Sequence, residues 1–156
     1  MSGIKDIWLY ANNIIRSSRQ LVNEGLRPLN LSSAEGNVLL HLLTRGHALQ
    51  QDEIVEQLDV SKPAVSRALE SLERKGYVSR EKDPSDMRAN RVVATDRARA
   101  ISPEVERVYN EVFDIAAGVV SESEVKGFIE LFGRVSDSFA AARAGIRNNG
   151  SGRREL

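Results

Sequence analysis

The sequence predicts a mainly α-helical fold with one small β-hairpin. Two periodicities support this: apolar residues recur every three or four positions along most of the chain, and two short segments alternate between apolar and polar residues. The alternating segments are residues 77–81 and 91–94, and turn-forming residues lie between them. The chain has 156 residues, 41% of them apolar and 28% charged, which fits one globular domain with extensions.

The first two helices have clear boundary signals. An apolar stripe over residues 4–26 predicts the first helix, and Pro28 ends it. Ser32, followed three residues later by Glu35, has the spacing of a capping box, in which each side chain bonds to the other residue's backbone N–H. We therefore expect the second helix to begin at this serine and to end near Gly46.

Two helices joined by a tight turn come next. A short third helix is predicted over residues 51–58, and Ser61 caps a fourth. Pro63 lies in the first turn of the fourth helix, where its missing N–H costs nothing. Gly76 is placed to end that helix in the left-handed conformation. The inward face of the fourth helix consists of Val65, Ala68, Leu69 and Leu72.

Two longer helices follow the hairpin. Thr95 and Asp96 predict the start of the fifth helix, and Pro103 predicts a kink or break within it. A gap over residues 118–123 precedes a sixth helix, and residues 147–156 are polar with glycines, which indicates a flexible tail. The apolar stripe of the sixth helix comprises Val125, Phe128, Ile129, Phe132, Val135, Phe139, Ala142 and Ile146.

The order helix, turn, helix, hairpin is that of a winged helix-turn-helix, which places a helix in the major groove of DNA with its N-terminal residues against the base edges. Ser66 and Arg67 can hydrogen-bond to bases or phosphates, and Lys62 suits a phosphate. The small apolar residues can touch a thymine methyl. The predicted DNA-contacting residues of this helix are Ser61, Lys62, Pro63, Ala64, Ser66 and Arg67.

The hairpin, or wing, provides the second predicted contact. A narrow minor groove attracts an inserted arginine, and Arg88 and Arg91 are the candidates. Asp86 can brace Arg88 through a charge-assisted hydrogen bond. The alternative is a solvated ion pair between these two residues, worth at most about 1 kcal/mol. Because 22 basic residues balance 22 acidic ones, DNA binding has to come from local placement of charge.

These ordered motifs resemble the MarR family of winged-helix transcriptional regulators. The resemblance covers about residues 30–101 and rests on segments 31–39, 51–58, 60–67, 72–78, 83–88 and 94–95. It implies an obligate homodimer in which residues 1–30 and 100–146 form the helical dimerisation region and residues 31–99 the DNA-binding domain. It also implies a near-palindromic operator with half-sites about one helical turn apart. Asp59 stands where this family usually has a turn glycine, and aspartate tolerates left-handed backbone.

The resemblance further implies a small-molecule cleft between the dimerisation helices and the DNA-binding domain, suited to an aromatic or phenolic effector. Gly36 stands where the family often has a bulky residue, which would enlarge the cleft or loosen the packing. The competing interpretation is that these positions are dimer core and solvated surface. The candidate cleft residues are Trp8, Asn13, Arg16, Gly36, His41 and Tyr109.

Several functional classes are disfavoured. The absence of cysteine excludes disulfides, thiolate catalysis and cysteine-bound zinc. His41 and His47 are the only histidines and have poor metal-ligand spacing, so neither metal nor cofactor is expected. Without an apolar run of about 18 residues or a signal-peptide pattern, we expect a cytoplasmic protein that does not enter the membrane.

The sequence also lacks a catalytic motif, so an enzyme is not expected. The predicted function is a DNA-binding transcriptional regulator, in the form of a homodimeric repressor released from its operator by a ligand. The alternatives are an activator of the same family and a winged helix that binds protein without specific DNA binding.

Overall fold

The computed structural model describes residues 2–58, 60–87 and 90–151, so two residues discussed above, Asp59 and Arg88, lie outside the described part. The elements confirm the mainly helical fold with a small sheet. In chain order they are α1 (Ser2–Leu26), a 3₁₀ turn (Arg27–Leu29), α2 (Ser33–Arg45), β1 (Leu49–Gln50), α3 (Gln51–Leu58), α4 (Lys62–Arg74), β2 (Val78–Lys82), β3 (Asn90–Ala94), α5 (Asp96–Ala117) and α6 (Glu122–Ser151).

The helix ends follow from local sequence. Ser32 and Glu35 form the predicted capping box, with the Ser32 N–H donating to Glu35 Oε2 at 2.8 Å. Gly46 and Gly76 have φ of 68° and 76°, a region that glycine enters without steric cost, and the left-handed conformation was predicted for Gly76. Ser61 occupies the N-cap position of α4, but its side chain makes no capping hydrogen bond, so that part of the prediction is wrong.

Helix α5 runs through Pro103 without a break, so of the two predicted alternatives the break is absent. Thr95 Oγ1 accepts a hydrogen bond from the Ala98 N–H at 3.3 Å, which confirms the predicted start of the helix. The proline removes one backbone hydrogen bond. The helix continues because Val105 and Val108, directly after it, are buried in the core.

The sheet has three antiparallel strands in the order β1-β3-β2. Strands β2 and β3 form the predicted hairpin, from Val78 opposite Ala94 to Lys82 opposite Asn90. Strand β1, with Leu49 opposite Val92, was not predicted, since two residues are too few to show an alternating pattern. The pairing attaches the wing to the residues that lead into α3.

One apolar core holds these elements together. It draws on α1, α2, α3, α4, β3 and α5, and it includes the predicted inward face of α4. The largest fully buried side chains are Leu26, Leu39, Leu42, Ile54, Leu69, Leu72, Val65, Val92, Val105 and Val108. Burial of this set fixes α4 by one face and leaves its other face at the surface.

The chain divides into two compact units, Met1–Phe113 and Asp114–Leu156. The first contains the core described above. In the second, every side chain over residues 114–146 is exposed. Among the described residues, no helix combines the length and apolar character that crossing a membrane requires.

Candidate nucleic-acid interface

The first two turns of α4 present the predicted DNA-contacting residues at the surface. Ser61, Lys62, Pro63 and Arg67 are exposed, whereas Ala64 and Ser66 are half-buried. The residues that anchor the helix, Val65, Ala68, Leu69 and Leu72, are buried in the core. A helix held by one face with its N-terminal end exposed is the arrangement that entry into a major groove requires.

Two of these side chains already have partners within the chain. Lys62 Nζ lies 2.6 Å from Asp52 Oδ1 of α3, and Ser66 Oγ donates to Glu70 at 3.3 Å. Both members of the lysine–aspartate pair are largely exposed, so the pair contributes little stability. A phosphate oxygen can therefore replace Asp52 as the partner of Lys62 at low cost.

The arginines around the wing differ in their surroundings. Arg91 is half-buried and donates to the Ala48 carbonyl at 3.4 Å. Arg97 lies over the Tyr77 ring, 5.0 Å from its centroid, and Arg99 pairs with Asp96 at 2.8 Å. Arg91 and Arg97 thus make contacts at the base of the wing, whereas Arg99 forms an exposed ion pair at the start of α5.

Sequence reasoning missed the buried carboxylate of Asp83, which begins the turn of the wing. It accepts hydrogen bonds from the Ser85 N–H at 2.9 Å, Ser85 Oγ at 2.6 Å and Gln50 Nε2 at 3.0 Å. These bonds, with a smaller favourable effect of the Arg91 charge, lower the pKa of Asp83 to about 2. The Asp-Pro-Ser sequence predicts a turn, but nothing in it indicates the contact with Gln50.

A second missed network holds the C-terminal end of α4. Lys75 Nζ donates to Glu35 Oε1 at 2.6 Å and to the Asn30 carbonyl at 2.7 Å, between the first two helices. Burial raises the pKa of the Glu35 carboxyl, but hydrogen bonds from Lys75, Ser71 and Ser32 lower it further than burial raises it. Glu35 therefore stays ionised and joins the start of α2 to the end of α4.

Two neighbouring cavities share Arg19, Ser33 and Asn37, and we call them together the effector groove. One has a volume of about 300 Å³ and the other about 260 Å³, near the lower limit for small-molecule sites. The first is lined mainly by Val38, Leu58, Val60, Ala64, Val65 and Ala68. The second is lined mainly by Ile15, Val22, Tyr109, Val112 and Phe113.

Of the six residues predicted for the effector cleft, Tyr109 lines the groove. Its hydroxyl donates to Asn37 Oδ1 at 2.5 Å, and burial raises its pKa, so it stays protonated. The other five do not line either cavity of the groove. Asn13 accepts from Arg16 at 3.2 Å on the exposed side of α1, Trp8 is exposed, and His41 contacts Gln57 at 2.8 Å.

Gly36 does not create space. A Cβ at this position would lie 2.4 Å from Leu26 Cδ1 and 2.8 Å from the Tyr109 hydroxyl. The glycine instead permits close packing of α1 and α5 against α2, which is neither the larger cleft nor the looser packing considered from the sequence. The described residues contain no group of three or more histidine or acidic side chains placed to bind a metal ion.

The exposed start of α4, the adjoining helix α3 and the wing define a winged helix-turn-helix regulator that binds DNA. Residues 29–89 match the model described as the MarR family. The crystal structure of MarR is 28% identical, covers 93% of this chain and 94% of that chain, and gives a TM-score of 0.68. The winged helix-turn-helix of this chain is therefore similar to that of the MarR family, and the chain as a whole is similar to the MarR structure. Proteins of the MarR family are transcriptional regulators and not enzymes.

Two further structures show the same fold with bound molecules. A mutant MarR from E. coli complexed with operator DNA is 24% identical, covers 85% of this chain and 95% of that chain, and gives a TM-score of 0.75. CouR from Rhodococcus jostii RHA1, bound to p-coumaroyl-CoA, is 18% identical, covers 83% of this chain and 91% of that chain, and gives a TM-score of 0.75.

Proposed function

We propose that this chain is a homodimeric repressor that binds a near-palindromic operator and is released from it by a small aromatic or phenolic ligand. The position of α4 carries the proposal. Its first turns expose Ser61, Lys62 and Arg67 on one side, while Ala64 and Ala68 line the effector groove on the other. A ligand in the groove therefore touches the helix that meets DNA, and the E. coli MarR mutant complexed with operator DNA supports that role.

Dimer formation is supported by apolar surface that the single chain does not cover. Soluble proteins seldom leave large contiguous apolar patches exposed unless another molecule covers them. Two regions carry such surface here, the first half of α1 and α6 as far as Ile146. The exposed apolar residues include Ile7, Trp8, Tyr10, Ile14, Phe128, Ile129, Phe132 and Phe139. A dimer brings two copies of α4 to two half-sites of one operator.

The chemistry of the effector groove favours an aromatic acid or phenol. Its walls are mostly aliphatic and aromatic, while Arg19, Asn37 and Ser33 supply polar groups where the two cavities meet. An arginine can bind a carboxylate with paired hydrogen bonds. The effector residues proposed from the structure are therefore Arg19, Asn37 and Tyr109, in place of Trp8, Asn13 and Arg16 on α1.

DNA recognition is tested by selecting duplexes from a random library and measuring affinity with single variants. Arg67→Ala should lower affinity for the selected sequence by about 1–3 kcal/mol and relax the preference at one base pair. Arg74→Ala is the matched control, because it removes an exposed arginine two turns further along the same helix. Equal affinity of the Arg67 variant and the wild type would refute the role of the helix, and failure to select any sequence would favour a protein-binding winged helix.

Two further variants test the proposed phosphate contact of Lys62 and the proposed minor-groove contact of Arg88. Lys62→Ala should weaken binding to all duplexes alike and reduce the slope of log affinity against log salt by about 1. Arg88→Ala should weaken binding to the selected operator, because it removes the proposed minor-groove contact. Unchanged operator affinity in Arg88→Ala would show that the wing makes no such contact.

Effector binding is tested with salicylate, which carries both a carboxylate and a phenol. Salicylate should raise the thermal unfolding temperature and release the wild type from the selected operator. Arg19→Leu should abolish both responses, whereas Arg16→Leu, one turn earlier on α1 and outside the groove, should keep them. If neither variant changes the response, the groove is not the effector site.

A further inference from the structure

Gln50 joins the turn of the wing to the start of the helix-turn-helix. Gln50 ends β1 and directly precedes α3, and its backbone N–H donates to Glu53 Oε2 at 2.6 Å. Its side-chain amide donates to Asp83 Oδ2 at 3.0 Å, in the turn of the wing. The first turn of α3 and the turn of the wing therefore share a hydrogen-bonded residue.

Asp83 is the centre of this junction. It follows Lys82, the last paired residue of β2, so it stands where the hairpin leaves the sheet. Only 5% of its surface is exposed, and its two carboxylate oxygens together accept three hydrogen bonds from Gln50 and Ser85. A buried carboxylate is stable only when it is satisfied in this way, so the bonds select one conformation of the turn.

We propose that Asp83 is a positioning residue for DNA binding: it fixes the wing turn against the start of α3 and so determines where the minor-groove arginine enters DNA. This inference rests on the proposed role of the wing. The five residues from Asp83 to Met87 lead directly to Arg88 along the chain. A change in the direction of this turn displaces the arginine that follows it.

Charge repulsion alone predicts that removal of Asp83 strengthens DNA binding, whereas loss of a positioning residue weakens it. A carboxylate on a DNA-facing hairpin repels phosphates, so its removal by charge alone should raise affinity. The bonded carboxylate keeps its charge throughout the physiological range, because its pKa is lowered to about 2. Loss of DNA affinity on removal of Asp83 would therefore indicate a positional effect.

The test compares operator affinity of Asp83→Ala with that of Glu81→Gln at one salt concentration. Glu81 is an exposed acid on the same hairpin, so its substitution removes a charge without removing the junction. We expect Asp83→Ala to lose about tenfold in affinity, the value of one well-placed charged hydrogen bond, and Glu81→Gln to bind as well as or better than the wild type. Unchanged or higher affinity in Asp83→Ala would overturn the proposal.

A double-mutant cycle with Arg88→Ala separates positioning from general destabilisation. If Asp83 acts by placing Arg88, the double variant should bind no more weakly than Arg88→Ala alone. Additive losses would overturn the inference while leaving the wing contact intact. If Arg88→Ala by itself has no effect, the proposed wing contact fails and the inference falls with it.

Gln50→Ala provides a second variant if Asp83→Ala does not fold. It removes one donor to Asp83 and keeps both bonds from Ser85. We expect a smaller loss of operator affinity that also vanishes in the Arg88→Ala background. A loss that persists in that background would show that Gln50 acts by another route and would count against the junction.

Discussion

Two helices of this chain, α4 and α6, carry apolar stripes of the same helical spacing, yet the chain buries only one of them. The stripe of α4 is covered by the core, and Leu69 and Leu72 are fully buried. On α6, Phe128 and Phe132 stack on each other with ring centroids 5.4 Å apart, but both remain exposed. A stripe therefore predicts that a face becomes buried but does not identify its partner, and in the proposed homodimer a second subunit would cover the α6 stripe.

The largest expected effect comes from placing a charge in the α6 stripe. Ile129→Glu should weaken self-association by about a hundredfold, because a buried unpaired carboxylate costs several kcal/mol. Sedimentation velocity over a concentration series measures this effect. Arg134→Glu is the control, since it changes charge on the side of α6 away from the stripe and should leave the mass unchanged. An unaltered mass for Ile129→Glu would show that this stripe is not the interface.

A smaller effect is expected at the ion pair that holds α4 from its C-terminal end. Lys75→Met should lower the free energy of unfolding by about 1–3 kcal/mol, because it leaves the Glu35 carboxylate buried without its cation, and the partial exposure of Lys75 reduces the cost. Urea unfolding at neutral pH measures this loss. The control is Lys126→Met, which removes an exposed lysine of α6 whose contact with Glu122 is 4.0 Å long.

The same pair predicts a pH dependence. Since the folded-state pKa of Glu35 is lowered from 4.5, its contribution to stability is present above that value and is lost as the pH falls through the folded-state pKa. The wild type should therefore lose more stability between neutral pH and about pH 3 than Lys75→Met does. Parallel pH profiles for the two proteins would contradict the assigned role of the pair.

The last comparison is between two glycines, and it includes the smallest expected effect. Gly36→Ala should destabilise the fold by about 1–3 kcal/mol, because its Cβ would lie 2.4 Å from Leu26 Cδ1. Gly127→Ala, on the side of α6 away from the stripe and with no atom within 4 Å of its Cβ, should stabilise by up to about 1 kcal/mol through helix propensity. Thermal unfolding of both variants measures the difference, and a stabilising Gly36→Ala would show that α1 and α5 do not pack closely at this point.

These contrasts also show why part of the structure was predictable. Helix ends are encoded within a few residues, so Ser32, Glu35 and Gly46 were sufficient to place the limits of α2. The inward face of α4 was predictable because one helix of that length buries a single stripe. Both predictions, the limits of α2 and the inward face of α4, relied on local sequence alone.

The functional groups that sequence reasoning missed depend on distant contacts. Gln50 and Asp83 are separated by 33 residues, and Glu35 and Lys75 by 40. The cavity lining depends on packing in a similar way, since position along α1 does not reveal that Arg19 lines the two cavities and Arg16 does not. Pro103 shows the reverse case, in which a local signal is overridden by distant contacts. The helix does not break there because burial of the following turn outweighs the preference of proline to interrupt a helix.

Hydroxyl-radical footprinting of the wild type on its selected duplex tests the central claim most directly, since that claim is that two copies of α4 engage one operator. We predict two protected half-sites of related sequence whose centres lie about 10 base pairs, or one helical turn, apart. Protection of a single half-site, or protection without sequence preference, would contradict the account.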